Sequence, residues 1–287
     1  MPSMKAIKRR ITSVSSTQQI MKAMNLVAAS KLQKARQQLN LIRPLYDNIK
    51  LVMDGVQSGG EALDSVYFQE REVKNIAYLI ITGDRGLCGG YNINMCKEGR
   101  QLIHKHVKNH SSHEKIVIVG NKGRDYFKRR GKNVVKQYTC VSESVHYEDA
   151  ERIGKFLTEL YMSGEADEVY VVYTRFATVL SHEPSVIRLL PLGDEEGSGV
   201  QHGPMTYDPD VNTFMDYAVP MYLNTVIYGA LAESNVCEWA ARMTSMDAAA
   251  KNAEEIIDDL RLDYNRKRQG SITQEITEIV SGANAIQ

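Results

Sequence analysis

The sequence predicts an α/β domain inserted between the two arms of a long antiparallel helical pair. Three observations carry this reading: a heptad stripe at each end of the chain, and between them a run of apolar strands alternating with helices. The first stripe is Ile7, Ile11, Val14, Gln18, Met21, Asn25, Ala28, Leu32, Ala35, Leu39 and Ile42, with steps alternating four and three and nine of the eleven apolar. That spacing draws one narrow seam along a helix, as in a coiled coil, whereas an ordinary surface helix carries a wider stripe. At 1.5 Å per residue the helix reaches roughly 70 Å. The second stripe is Ala232, Val236, Trp239, Met243, Met246, Ala250, Ala253, Ile257, Leu260 and Tyr264, all apolar. Helical patterning there runs from about Asn212 to Asn284. Two terminal seams imply an antiparallel pair, because the intervening chain must leave and return at one end.

The first helix is expected to end near Gly55 to Gly60, after a disturbance at Pro44, which lacks a backbone donor. The middle then reads as strands over Val73–Thr82, Lys115–Val119, Val134–Val141, Val169–Thr174 and Val186–Leu190. Helical segments fall between them at Ile93–His106, Arg124–Arg130 and Tyr147–Met162. Alternating strands and helices indicate a doubly wound, Rossmann-like layer. The expected partition is 1–58 for the first helix, 70–205 for the α/β domain and 208–287 for the second helix. The segment Gly193–Gly203 reads as an exposed turn. Beyond Tyr264 the seam register breaks, and a new stripe follows at Ile272, Ile276, Ile279, Ala283 and Ile286. Such a change of spacing alters the supercoil locally.

Charge is balanced overall, with 35 basic and 35 acidic residues, but not regionally. The first 46 residues carry nine Lys or Arg and no carboxylate, and Asp247–Asp263 is acidic. Net neutrality argues against a general nucleic-acid binder. The four cysteines form no CxxC pair, which suggests buried thiols in a reducing compartment. No apolar run approaches the roughly 20 residues needed to span a bilayer, and no signal-peptide pattern opens the chain, so a cytoplasmic location is expected.

Candidate chemistry is sparse. Gly83-Asp84-Arg85-Gly86-Leu87-Cys88-Gly89-Gly90 lies between a strand and a helix, where a phosphate loop would sit. No Gly-Lys-Ser/Thr follows, and the glycine spacing is not GxGxxG, so a tight turn packing strand against helix is the simpler reading. Gly120–Gly123 reads the same way. His104, His106, His110 and His113 lack carboxylates at ligand spacing and read as solvated, so no metal is expected. The run Lys128–Lys132 reads as a basic helix end. Arg266-Lys267-Arg268-Gln269 is different, because it coincides with the seam break and so is displayed. Arg there offers a forked grip on a carboxylate of another chain, with Gln269 adding neutral hydrogen bonds.

Several of these segments resemble one family. They are Met21-Lys22-Ala23-Met24 through Val27–Lys31, Thr82–Asn92, Glu233-Ser234 through Glu238, Arg242–Ala249, and Tyr264–Gln269 with Ile272–Ile276. Together, spread over essentially the whole chain, they resemble the gamma subunit of rotary F-type ATP synthase in its bacterial form. The resemblance implies a non-catalytic central-stalk rotor without a cofactor. Such a rotor turns inside a ring of alpha and beta subunits, binds the epsilon subunit and rests on the ring of c subunits. It couples ion flow through that ring to ATP synthesis. It further implies a peripheral place on the cytoplasmic side of the cell membrane, reached only through the c ring, and no nucleic-acid partner. Beta-subunit contacts would fall on Arg268, Gln269 and Thr273, with Lys22 and Met24 on the first helix. The rival reading is a nucleotide-binding α/β enzyme whose helical arm only dimerises it. A third is a nucleic-acid adaptor, which would show a steep salt slope and sequence preference.

Overall fold

The computed structural model describes residues 3–59, 65–69, 71–110, 113–141, 144–179, 181–193 and 210–286. Ten elements follow one another: α1 (Met4–Gly59), β1 (Asn75–Ile81), α2 (Tyr91–His110), β2 (His113–Val119), α3 (Asn121–Lys128), β3 (Val134–Tyr138), α4 (Tyr147–Met162), β4 (Glu168–Phe176), β5 (His182–Leu190) and α5 (Val211–Ile286). The expected strands and helices are all present, most of them somewhat longer than expected. The turn expected at Gly193–Gly203 lies, apart from Gly193, outside the described residues. The chain forms two compact units, residues 1–28 with 243–287, and residues 29–242.

In the first unit the start of α1 pairs with the far part of α5. Ile7 is buried, and Ile11, Val14, Gln18, Met21 and Asn25 are half-buried, while the flanking basic residues Lys5, Lys8, Arg9, Arg10 and Lys22 are exposed. Two side chains in the stripe are polar, and each bonds across to α5. Asn25 Nδ2 donates to the Met243 carbonyl at 2.9 Å, and Gln18 Nε2 donates to the Ala250 carbonyl at 3.4 Å. One heptad backward on α1 matches one heptad forward on α5, so the pair is antiparallel. A polar residue at a seam position fixes register at some cost in stability.

The second unit is a three-layer α/β body. Its five-stranded sheet has the order β3-β2-β1-β4-β5. The first four strands run parallel, and β5 is antiparallel to β4. Apart from Asn75, β1 is buried throughout, which explains its unbroken apolar run: a central parallel strand is covered on both faces. On one face Tyr78, Ile80, Ile116 and Ile118 pack with Met95, Cys96 and Ile103 of α2 and Phe127 of α3. On the other, Leu79, Val117 and Val171 pack with Ile153 and Leu157 of α4, Met53 and Val56 of α1, and Val219, Leu223 and Ile227 of α5. The stripe of α1 therefore continues past Pro44 at the same spacing through Ile49, Met53 and Val56. Pro44 lies inside α1 and on its exposed side, so the helix is not ended there.

Two expectations are corrected. Cys88, Cys96 and Cys237 are buried, but Cys140 is exposed, because it lies in the turn after β3, where its backbone N–H donates to Asp84 Oδ2 at 3.0 Å. His106 is not simply solvated: its Nδ1 lies 3.0 Å from the Tyr78 hydroxyl, and its ring lies 4.8 Å from that of Tyr170.

Burial raises the Cys96 thiol pKa to about 12 and pushes Cys88 and Cys237 upward as well. A thiol must ionise to react, and a free one does so near pH 8.5. Alkylation of the native chain at mildly alkaline pH should therefore modify Cys140 alone, and all four thiols only after unfolding. Peptide mass mapping checks this; fast native labelling of Cys88 or Cys237 would show that α5 is not seated as described. Cysteines placed at Gln18 and Ala250 in a Cys140→Ser background should form a disulfide, whereas a Lys8/Ala250 pair should not.

Candidate functional site

In a doubly wound sheet a ligand binds outside the carboxyl ends of the strands, where the strand order reverses. Here that point lies between β1 and β4, because α2 and α3 cover one face and α4 the other. The glycine loop 83–90 stands at this point, and its backbone is already engaged. Gly83 N–H donates to Asn92 Oδ1 at 2.8 Å, and Asn92 Nδ2 donates to the Arg85 carbonyl at 3.1 Å. Gly89 has φ 57°, as a tight turn requires. The second glycine turn is equally structural. Gly120 has φ 93°, and a Cβ there would lie 2.2 Å from the Thr82 carbonyl oxygen. Gly123 N–H donates to Thr82 Oγ1 at 3.0 Å, and Asp84 Oδ1 accepts from Asn121 N–H at 3.1 Å.

The crevice itself is filled by α5. Glu238 enters it so closely that a Cβ on Gly83 would lie 2.7 Å from the carboxylate. Arg242 Nη2 donates to Glu238 Oε1 at 2.6 Å, one helical turn away, and these side chains are only 6% and 4% exposed. The same guanidinium reaches the Gly86 carbonyl at 3.4 Å. Ser234 is bound twice: its Oγ accepts from Thr174 N–H at 3.2 Å, and its carbonyl accepts from the Tyr91 hydroxyl at 3.1 Å. Cys237 Sγ donates to the Thr174 carbonyl at 3.6 Å, and Glu233 Oε2 accepts from Phe176 N–H at 3.2 Å. Burial raises the pKa of Glu233 and holds the Tyr91 hydroxyl well above its ordinary value, the Glu238 carboxylate adding to the second effect. A void of about 10 Å³ remains among Thr82, Tyr91, Ser234 and Glu238. That is room for no more than about one water molecule. No group of residues that could hold a metal occurs among the described residues.

The sequence reading assigned no role to Ser234, Glu238 or Arg242. A signal was present: a Glu and an Arg one turn apart, at the end of the largely apolar stretch Val226–Met243, can be buried only as a pair.

The residues expected to touch a partner are placed as follows. Arg268, Gln269 and Thr273 are exposed on α5, and the Thr273 hydroxyl donates to the Gln269 carbonyl at 2.9 Å. Lys22 is exposed and Met24 half-buried on α1. The two groups are not brought together. The antiparallel register sets Lys22 beside the stretch near Met246, some 22 residues before Arg268, or on the order of 30 Å along the axis. The same register exhausts α1 near Tyr264, because α1 starts at Met4. After it, Lys267 and Ser271 are still half-buried, and beyond Ser271 every residue of α5 whose side chain is described is exposed. Ile272, Ile276 and Ile279 are 48%, 56% and 70% exposed.

The whole chain matches a known family. The family model described as "ATP synthase" covers residues 3–286. The "ATP synthase gamma chain" of Alkaliphilus metalliredigens is 42% identical over 290 residues, covering 99% of each chain.

The chain belongs to the ATP synthase gamma-chain family.

The "ATP synthase gamma chain, sodium ion specific" of Acetobacterium woodii is 38% identical, covering 98% of this chain and 97% of that one. Among solved structures, a chain of the Euglena gracilis mitochondrial ATP synthase, from an OSCP/F1/c-ring assembly in rotational state 3, superposes with a TM-score of 0.76 at 18% identity. It covers 99% of this chain and 94% of that one. This likeness shows that the fold is shared with a chain of that assembly.

For this gamma-family chain the filled crevice predicts no specific nucleotide site. Titration calorimetry with ATP, ADP or NAD should give no saturable heat at micromolar concentrations; a 1:1 site that survives Lys122→Ala/Arg130→Ala, and so does not lie in the cavity of about 410 Å³ beside Gly86 and Gly89, would contradict the packing of α5. Removing one member of a buried ion pair strands the other, at a cost of about 3–5 kcal/mol. Arg242→Ala should therefore lower the denaturant midpoint sharply, whereas Lys22→Ala should leave it within error.

Proposed function

We propose that this chain is the central-stalk rotor of an F-type ATP synthase. It couples ion flow through the c-subunit ring to ATP synthesis in the alpha/beta catalytic ring by rotating within it. It performs no catalysis itself. The observation that carries the reading is the end of α5, a helix that runs past its partner and displays Ile272, Ile276 and Ile279, which none of the described residues covers. Exposed apolar residues of that size in a row mark a surface built for a partner. A surrounding sleeve of alpha and beta subunits would cover them. Family membership supports this reading, and so does the filled crevice, which closes the position where a doubly wound sheet ordinarily binds a nucleotide.

In this reading Arg268 and Gln269, with Thr273 one turn on, contact a beta subunit near the end of the shaft, and Lys22 and Met24 do so at a lower level. The exposed Lys5, Lys8, Arg9 and Arg10 present positive charge to the ring. Residues 1–58 and 208–287 act as the shaft and residues 70–205 as the body that meets the epsilon subunit and the c ring. No helix of the described residues is long and apolar enough to cross a membrane. Attachment to the cytoplasmic face of the cell membrane therefore runs through the c ring.

Arg268→Ala is the direct test. A charge-assisted contact closed off from water costs 2–5 kcal/mol or so when truncated, and an exposed one costs under about 1. The variant should weaken assembly of the complex, or its ATP turnover, by roughly tenfold or more, with helicity of the chain unchanged. Gln269→Leu should do less, since it removes only neutral bonds. Wild-type assembly and turnover with Arg268→Ala would remove this residue from the contact.

A further inference from the structure

The hydrogen bonds that fill the crevice do more than exclude a ligand. Ser234, Glu238 and Arg242 lie at helical spacing on one face of α5: Ser234 is bonded to Thr174 at the carboxyl end of the sheet, Arg242 to Gly86 in the loop beyond it, and Glu238 holds Arg242 and sits against Gly83. The acceptors and donors opposite include backbone groups of Thr174 and Gly86, which cannot swing with a side-chain rotation. We propose that Ser234, Glu238 and Arg242 form a torque-bearing joint, which locks the rotational setting of α5 against the sheet so that turning the α/β body turns the helix with it. The proposal rests on the rotor reading above.

Directional bonds, not apolar contacts, resist the rolling of a helix about its own axis. Apolar packing is non-directional, so a small roll exchanges one contact for another at little cost. Hydrogen bonds are directional and weaken steeply as they lengthen or bend. Side chains reach about 5–6 Å from a helix axis, so a roll of about 20° carries their ends roughly 2 Å sideways. That displacement is more than half the length of the bonds that leave α5, 3.2 Å from Thr174 N–H to Ser234 Oγ and 3.4 Å from Arg242 Nη2 to the Gly86 carbonyl, while the Glu238–Arg242 bond within the helix keeps the guanidinium aimed. Because the pair is nearly dry, water cannot replace a bond as it opens. Gly83 adds a steric stop: its missing side chain lets the Glu238 carboxylate sit against the loop backbone, as a knob in a socket. These are positioning residues, which act on catalysis elsewhere only by keeping body and shaft in phase.

The double variant Glu238→Leu/Arg242→Met separates mechanics from stability. It replaces a buried ion pair by apolar side chains of similar volume, which is often neutral for folding. The assay uses the complete membrane-reconstituted complex, with partners cleared of accessible cysteines and a bead attached at the exposed Cys140. The double variant should assemble and hydrolyse ATP as the wild type does. The variance of the bead's resting angle should rise at least twofold, and the number of ions pumped per ATP should fall at least twofold. Wild-type variance and pumping ratio in the assembled double variant would overturn the joint. Should the double variant not assemble, Arg242→Lys with Ser234→Ala keeps the buried charge but loses the bonds to Gly86 and Thr174. Wild-type values in that variant would overturn the proposal equally. Failure of the rotor reading would look different, because the wild-type chain itself would then neither assemble with its ring nor rotate.

Discussion

The structure turns on the burial of one ion pair. Glu238 and Arg242 could not enter the interior singly, because an unpaired buried charge costs several kcal/mol. Paired one turn apart on α5, they satisfy each other, and Arg242 also reaches the Gly86 carbonyl, so both charges can lie against the carboxyl end of the sheet where the apolar face of α5 seats the helix. Once α5 is seated there, the crevice between β1 and β4 is closed, and the space left beside the glycine loop is a cavity of about 410 Å³ on its other side, toward Lys122 and Arg130 of the α3 region. The glycine loop becomes a socket rather than a phosphate cradle. The fold of a nucleotide-binding layer is thus kept while its usual site is converted into a joint, an instance of function residing in the site rather than the fold.

The two ends of α5 are held by different physics. Within residues 29–242, α5 is clamped by directional bonds and by a large apolar face that packs on the sheet with α1 and α4. Within residues 243–287, the pairing with α1 is a narrow seam whose register is set by Gln18 and Asn25. A polar seam residue gives up some stability and gains a unique alignment. Past Ser271 even that support ends, and the helix carries exposed isoleucines. A gradient from tightly held to unsupported suits an element that is anchored at one end and presented to partners at the other.

Much of this was legible in the sequence, because periodicity reports burial directly. The four-three alternation of Ile7 to Ile42 and of Met246 to Tyr264 appears as the less exposed stripe of each helix, whereas from Ala232 to Met243 α5 is buried nearly all round and Trp239 and Met243 are only half-buried; the unbroken run in β1 appears as a strand covered on both faces. Other features depended on partners that periodicity does not name. The hairpin register was hidden in the side-chain amides of Gln18 and Asn25, which a hydrophobic pattern counts only as interruptions. The continuation of the seam to Met53 and Val56 was masked by Pro44, which the helix tolerates on its exposed side. The exposure of Cys140 follows from its place in a turn, where composition alone suggested a buried thiol. The part played by Glu238 and Arg242 required knowing that β1 and β4 are neighbours, a long-range fact of strand order. Arg268, by contrast, was marked by its position at the break between two stripes. The structure places it where α1 has ended, but a single chain contains none of the groups it would bind.

The central claim is that this chain is the single asymmetric shaft of a larger ring. Native mass spectrometry of the complex co-purified through this chain tests it most directly. The account predicts one copy of this chain for three copies of each of two larger subunits. A homodimer of this chain alone, carrying bound nucleotide, would contradict it.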